Sequence, residues 1–208
     1  MPRMRKVAAA MIHLIRHGQS TSNAENILVG RGDTPLSDLG RSQALALRPY
    51  LTNVAEVWSS PLQRARETAS LAIPNLEAKI VDAFIEVDYG SLDGQPLSII
   101  SGEEWRSFEH DHDRAFGGGE SLHEVDARVH AALDELFADS DSLLHNPERH
   151  LVIVSHMSPV KSAVAWALGV PGSVAWRTRV SNASISSITI RSGTPSLMHF
   201  NMVPPAVR

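Results

Sequence analysis

Apolar residues come in two rhythms along this 208-residue chain. Short continuous runs, Met11-Ile12-His13-Leu14-Ile15, Val54 to Trp58 and Leu151-Val152-Ile153-Val154, predict buried strands. Between them, apolar positions recur at three- and four-residue spacings, most clearly Leu122, Val125, Val129, Ala132, Leu133 and Leu136, which predict an amphipathic helix over 120–138. Ser37 or Asp38 is placed to cap a helix running to about Arg48. Ser59-Ser60-Pro61 reads as an N-cap with proline in the first turn of a helix through about Leu71, and Ser158 to Leu168 as a further helix.

The remaining stretches are less regular. Residues 19–36 and 86–94 read as loops, 79–81 and 83–85 as short apolar pieces, and 96–112 as room for short helices. Two strands, 184–190 and 196–200, close the chain around a Gly193-Thr194-Pro195 turn. Strands alternating with helices predict an α/β fold, a three-layer α/β/α sandwich with a largely parallel central sheet. The length suits one domain over 1–208, with 87–119 as a lid or inserted segment.

Composition narrows the function classes. Hydrophobic content of 43% supports a full core, and the net charge of −4 argues against a general nucleic-acid or anionic-membrane surface while leaving room for a local basic pocket. The absence of cysteine excludes disulfides, thiolate metal sites and cysteine nucleophiles, and fits a cytoplasmic location. The start imitates a secretory signal, with Arg3, Arg5 and Lys6 ahead of an apolar run. That run contains His13 and leads straight into Arg16-His17, so it reads better as the first strand. No apolar stretch approaches the roughly 20 residues of a membrane span.

Three segments share one logic of strand, polar tip and helix. Arg16-His17 ends one strand, Arg64 follows Pro61 at a helix start, and His156 ends another strand. In a parallel sheet such tips lie along one carboxyl edge and can converge although far apart in sequence. Two arginines, two histidines and helix N-termini make a natural phosphate site, since forked guanidinium donors match phosphoryl oxygens and helix starts add unpaired amides. One histidine can attack phosphorus while the other donates to its oxygens, with cationic side chains standing where metal ions usually neutralise charge. Other candidates carry less. His110, Asp111, His112 and Asp113 form a charged cluster that reads as a solvated lid segment before it reads as a metal site. Gly117-Gly118-Gly119 lacks the preceding strand of a dinucleotide fingerprint.

Arg16-His17-Gly18-Gln19-Ser20-Thr21-Ser22-Asn23-Ala24-Glu25-Asn26 resembles the opening signature of the histidine phosphatase superfamily, in its phosphoglycerate mutase-like branch. The agreement continues through Leu39-Gly40-Arg41, Ser59-Ser60-Pro61-Leu62-Gln63-Arg64, Glu86-Val87-Asp88-Tyr89-Gly90, Asp93-Gly94, Gly118-Gly119-Glu120-Ser121 and Val154-Ser155-His156, in family order over nearly the whole chain. The resemblance implies a phosphoglycerate mutase-like fold and phosphorylation of His17, with Arg16, Arg64 and His156 around the phosphoryl group. It implies Glu86 as the acid that protonates the leaving oxygen and then the base that takes a proton from water. It further implies Asn23, Ser20 and the Gly30 backbone as pocket residues, with no metal and no cofactor.

The expected partner is a small-molecule phosphate ester, with neither nucleic acid nor membrane; a homodimer is the assembly kept in view. The family includes mutases, whose larger insertion carries an arginine pair, and phosphatases. Here residues 95–119 are short, with only Arg106 and Arg114 as cations against Glu103, Glu104, Glu109, Asp111 and Asp113. That balance favours hydrolysis over a mutase handling a bisphosphorylated intermediate. A catalytically idle phospholigand-binding module is disfavoured because all five implied reacting residues are present. Met157 stands where relatives often carry glycine after the second histidine.

Overall fold

A computed structural model describes residues 10–139, 146, 149–191 and 193–205; the basic start with Arg3, Arg5 and Lys6 lies outside them. Six strands form one sheet in the order β3-β2-β4-β1-β5-β6. They are β1 Met11–Arg16, β2 Val54–Ser59, β3 Lys79–Ile80, β4 His150–Ser155, β5 Ile185–Arg191 and β6 Thr194–Met202. Pairings among β1 to β4 are all parallel, while β5 joins β1, and β6 joins β5, antiparallel.

The sheet is covered on both faces, which is why its central strands are continuously apolar. Leu151, Val152, Ile153 and Val154 of β4 are all fully buried, and the strand's two-residue period divides them between two cores. Leu151 and Ile153 join Ile12, Leu14, Val129, Leu133, Val160 and Val164 on one side, where α5 (Leu122–Ala138) and α6 (Met157–Leu168) pack. Val152 and Val154 join Ile15, Val57, Ala65, Ala69 and Ala72 on the other, against α3 (Gln63–Ala72). Each buried Leu, Ile or Val contributes roughly 1.5–3 kcal/mol relative to exposure.

Local chemistry sets the element ends. Ser37 caps α2 (Asp38–Ala46) by accepting from Gly40 N at 3.1 Å. Ser121 and Glu124 form a reciprocal capping box at the start of α5. Gly169 ends α6 in the left-handed region at φ +62°.

Two boundaries differ from the sequence reading. Helix α3 begins at Gln63 with Leu62 as its N-cap, without a side-chain cap, because Ser60 is engaged elsewhere. β6 begins at Thr194, with Pro195 paired to Ile190 inside the hairpin; an edge strand tolerates a residue that cannot donate to the ladder.

Segment 87–119 holds α4 (Gly102–His110) and folds its aromatic residues into the α5–α6 core. Phe108 and Phe116 stack at 5.0 Å between centroids, with Tyr89 and Trp105 against them. Phe108 and Trp105 therefore pack inward. The His110–Asp113 stretch lies at the surface, with Asp113 3.8 Å from His123; among the described residues no group of three or more His, Asp or Glu is placed to hold a metal ion.

Candidate active site

β1 and β4 are adjacent and parallel, with Arg16 opposite Ser155, so the residues that follow each strand emerge side by side. His17 and His156 meet there with ring centroids 5.0 Å apart. Arg64 reaches the same point from the first turn of α3, donating Nε–H to His17 Nε2 at 3.2 Å. The arrangement fixes the His17 tautomer: Nδ1–H donates to the Gly18 carbonyl at 2.6 Å, leaving Nε2 as the acceptor with its lone pair toward Arg64. Burial first, then the charges of Arg64 and Arg16, hold His17 well below the usual histidine pKa, so it is neutral at physiological pH.

Burial, followed by Arg64 and His17, likewise lowers the pKa of His156. Its Nε2 lies 2.7 Å from the Ser60 hydroxyl, which also accepts from Leu62 N. When Ser60 O–H donates to Nε2, the ring proton sits on Nδ1, a buried position without a hydrogen-bond partner among the described residues. Arg16 donates to the Val180 carbonyl at 2.7 Å, while its buried Nε has no partner among the described residues. Two unspent donors in a buried site call for an anion.

Arg64 is held by carbonyls. Its Nη1 and Nη2 donate to Gly32 and Gly30 at 2.7 and 2.6 Å, and the amides of those two residues donate to the Asp93 carboxylate at 2.7 and 2.9 Å. Asp93 thus clamps the loop that aims Arg64. A Cβ on Gly30 would lie 2.4 Å from the Val87 carbonyl, so no side chain fits there. The contribution of Gly30 is its carbonyl to Arg64; its N–H is already spent on Asp93.

Glu86 is buried, 5% exposed, and receives three backbone N–H bonds: Val87 at 2.9 Å and Met157 and Ser158 at 3.1 and 3.2 Å. Its carboxylate therefore sits on the N-terminus of α6, directly after His156. Arg128 holds the same strand of chain, donating to the Ala83 and Glu86 carbonyls and forming a forked pair with Glu120 at 2.7 and 2.9 Å. Met157 uses its amide on Glu86, and its side chain packs against the α5–α6 core.

Ser20 and Asn23 form a capping box on α1 (Thr21–Ala24). The Ser20 hydroxyl is fully buried in that role, so it holds the loop in shape. Asn182 Nδ2 donates to both the Asn23 side chain and the His17 carbonyl at 3.2 Å, tying the last strands to the first.

The structure brings together at one sheet edge Arg16, His17, Arg64 and His156, which the strand-tip reading placed there, and sets Glu86, expected only from the resemblance, on the α6 terminus that follows His156. The sequence reading named these five. It missed the work of Ser60, Asp93 and Asn182. Ser60 and Asp93 stood inside blocks already noted, whereas Asn182 carried no signal of its own. Two open clefts of about 470 and 450 Å³ lie elsewhere, along α3–β3 and at Trp58 and β3, and neither includes a residue of this site.

The family model of the histidine phosphatase superfamily (branch 1) matches residues 12–203. The chain belongs to that superfamily. Among its curated relatives is a probable phosphoglycerate mutase GpmB of Salmonella typhi, 32% identical over 186 residues that cover 85% of this chain and 83% of the relative. Among solved structures, a mycobacterial glucosyl-3-phosphoglycerate phosphatase in complex with VO3 superposes with a TM-score of 0.84 at 28% identity, covering 92% of this chain and 98% of that one. A putative alpha-ribazole-5'-P phosphatase from Escherichia coli gives 0.80 at 25% identity, covering 96% and 100%. This member of the superfamily is thus similar to proteins named as phosphatases and to one named as a probable mutase.

Proposed function

We propose that the protein is a phosphatase that hydrolyses small phosphate monoesters through a phosphohistidine on His17. The observation that carries this reading is the pairing of a neutral His17, its Nε2 lone pair facing Arg64, with two buried unspent donors, Arg16 Nε and His156 Nδ1. Phosphoryl transfer needs positioning and charge neutralisation more than covalent machinery, and this edge supplies both.

In the first step His17 Nε2 attacks phosphorus, the N–P bond forms as the ester P–O bond breaks, and Glu86 gives its proton to the leaving oxygen. In the second, water attacks phosphorus, the Glu86 carboxylate takes a water proton, and the N–P bond breaks to restore neutral His17 and free phosphate. Arg16, Arg64 and His156 donate to the non-bridging oxygens throughout. Asn23, held by Asn182, lines the pocket beside them.

Hydrolysis is preferred to mutase chemistry because the cations of segment 95–119 are spent at the surface. Arg106 is exposed, and Arg114 donates to Ser107 at 2.7 Å in an exposed pair. Incubation with a ³²P-labelled monoester followed by rapid quench tests the reading: wild type carries acid-labile label and releases inorganic phosphate, while His17→Ala carries none. Label on neither protein overturns the covalent route. Isomerisation of a phosphoglycerate faster than phosphate release overturns the preference for hydrolysis.

A further inference from the structure

Lys161 is a nearly buried cation that the mechanism does not use. Its side chain is 4% exposed, and among the described residues its ammonium has no hydrogen bond and no carboxylate within ion-pair distance. Its one close partner is the face of Trp176, 4.0 Å from Nζ to the ring centroid. A lysine is seldom buried without a pair, since desolvating the ammonium is costly. Burial lowers its pKa to about 8, opposed by the charges of Glu109 and Glu86 and reinforced by Arg16, so the protonated form still prevails at pH 7.

Its position points toward the reacting centre. Lys161 lies three and four residues beyond Ser158 and Met157 on α6, on the helix face one turn above the amides that hold Glu86. Side chains on a helix tilt toward its N-terminus, so Lys161 leans toward the end of α6 whose Met157 and Ser158 amides bond Glu86. Behind it, Trp176 of the segment after α7 (Gly172–Ala175) packs edge-on against Phe108 at 5.8 Å, giving an aromatic back wall. Glu109, half-buried on α4, is the remaining anion that acts on it.

We propose that Lys161, backed by Trp176, is a subsite for a carboxylate carried on the leaving group of the phosphate ester. This deepens the phosphatase reading and rests on it. One ammonium matches one single-charged group, and the aromatic wall suits the short carbon chain that would join that group to the ester oxygen. Glu109 competes for the same cation when the subsite is empty.

A matched pair of esters tests it: 2-phosphoglycolate, which carries the carboxylate, and ethyl phosphate, which does not, with propane-1,3-diyl bisphosphate as a second-phosphate control. Lys161→Met is expected to lower kcat/KM for 2-phosphoglycolate by about 10- to 100-fold, the range of a charge-assisted hydrogen bond, through KM, while ethyl phosphate changes by less than about threefold. Lys161→Arg keeps most of the preference, and Glu109→Gln strengthens it a few-fold. Equal losses on both esters in Lys161→Met would give the lysine a merely structural role and overturn the subsite. A wild-type preference for the bisphosphate over 2-phosphoglycolate would also overturn it. Calorimetric binding of 2-phosphoglycolate and ethyl phosphate to the His17→Ala protein, with and without Lys161→Met, reads the subsite independently of turnover. A carboxylate-specific loss there upholds the subsite even if no phosphatase activity is found, and no such loss sinks it whatever the turnover.

Discussion

The sheet carries two histidine pairs, one toward each end of the same two strands. His17 and His156 follow β1 and β4, with rings 5.0 Å apart at 61°; His13 and His150 lie inside β1 and at the start of β4, 5.2 Å apart at 64°. Both pairs have lowered pKa values, for which burial is the first cause. What separates them is what the ring nitrogens have left to give. Both His13 nitrogens are occupied, Nδ1 with the Ser187 hydroxyl at 2.9 Å and Nε2 with His150 at 3.3 Å, and among the described residues no guanidinium bonds to the pair. At the other end His156 Nδ1 and Arg16 Nε are unspent, Arg64 faces His17 Nε2, and the α6 amides hold a carboxylate nearby. Two close histidines are thus a packing solution in one place and the core of the candidate active site in the other; the surrounding donors make the difference.

The sharpest way to break this comparison is to delete one histidine from each pair. His17→Ala is expected to reduce turnover by on the order of 10⁴-fold or more, as loss of a nucleophile does, and to abolish the labelled phosphoenzyme. His13→Ala should leave turnover within about threefold while lowering unfolding free energy by about 2 kcal/mol, from the cavity and the stranded Ser187 hydroxyl. Comparable kinetic losses in the two variants would erase the distinction.

Next in size is Glu86→Gln. Hydrolysis of an alkyl phosphate should fall by about 10²- to 10⁴-fold, whereas p-nitrophenyl phosphate, whose leaving group needs no proton, should lose far less. Equal losses on the two esters would assign Glu86 to holding the α6 terminus and not to proton transfer.

The structural pair should reveal itself in acid. The His13 pKa falls from 6.5 to about 4 in the folded state, so the unfolded chain binds the proton first. Its stabilising contribution is complete above pH 6.5 and is lost as pH falls toward 4, about 3 kcal/mol in all. Urea unfolding at pH 7.5 and 4.5 should show this loss in wild type and a smaller one in His13→Asn. An unchanged difference between the two pH values would remove His13 from the account.

The smallest effect concerns aim. Asp93→Ala frees the Gly30 and Gly32 amides whose carbonyls hold Arg64, and should lower kcat by about tenfold while labelling of His17 persists. Pre-steady-state quench would separate slower phosphorylation from lost binding, and a wild-type rate would show that the loop holds Arg64 without Asp93.

Much of the site was legible because its residues sit at strand tips, and strand tips are written locally. The apolar runs before Arg16-His17 and His156 announce where each strand stops, and the parallel pairing of β1 with β4 then brings them together. Glu86 was legible only through its resemblance block, since no regular element precedes it. Asn182 and Lys161 gave no warning. Asn182 stands in a polar stretch like any turn, and Lys161 interrupts an apolar helix as many snorkelling lysines do.

The chain's own order of apolar and polar residues determined the strands, the main helices and the strand-tip places of His17 and His156, because backbone pairing and side-chain periodicity are short-range properties. Which polar groups would be spent and which left free was decided only in three dimensions. Ser60 meets His156 across 96 positions of sequence, Asn182 meets His17 across 165, and Asp93 reaches Gly30 across 63. Such meetings depend on how crossovers stack strands and loops, and no local pattern encodes the distance between two ends of a chain.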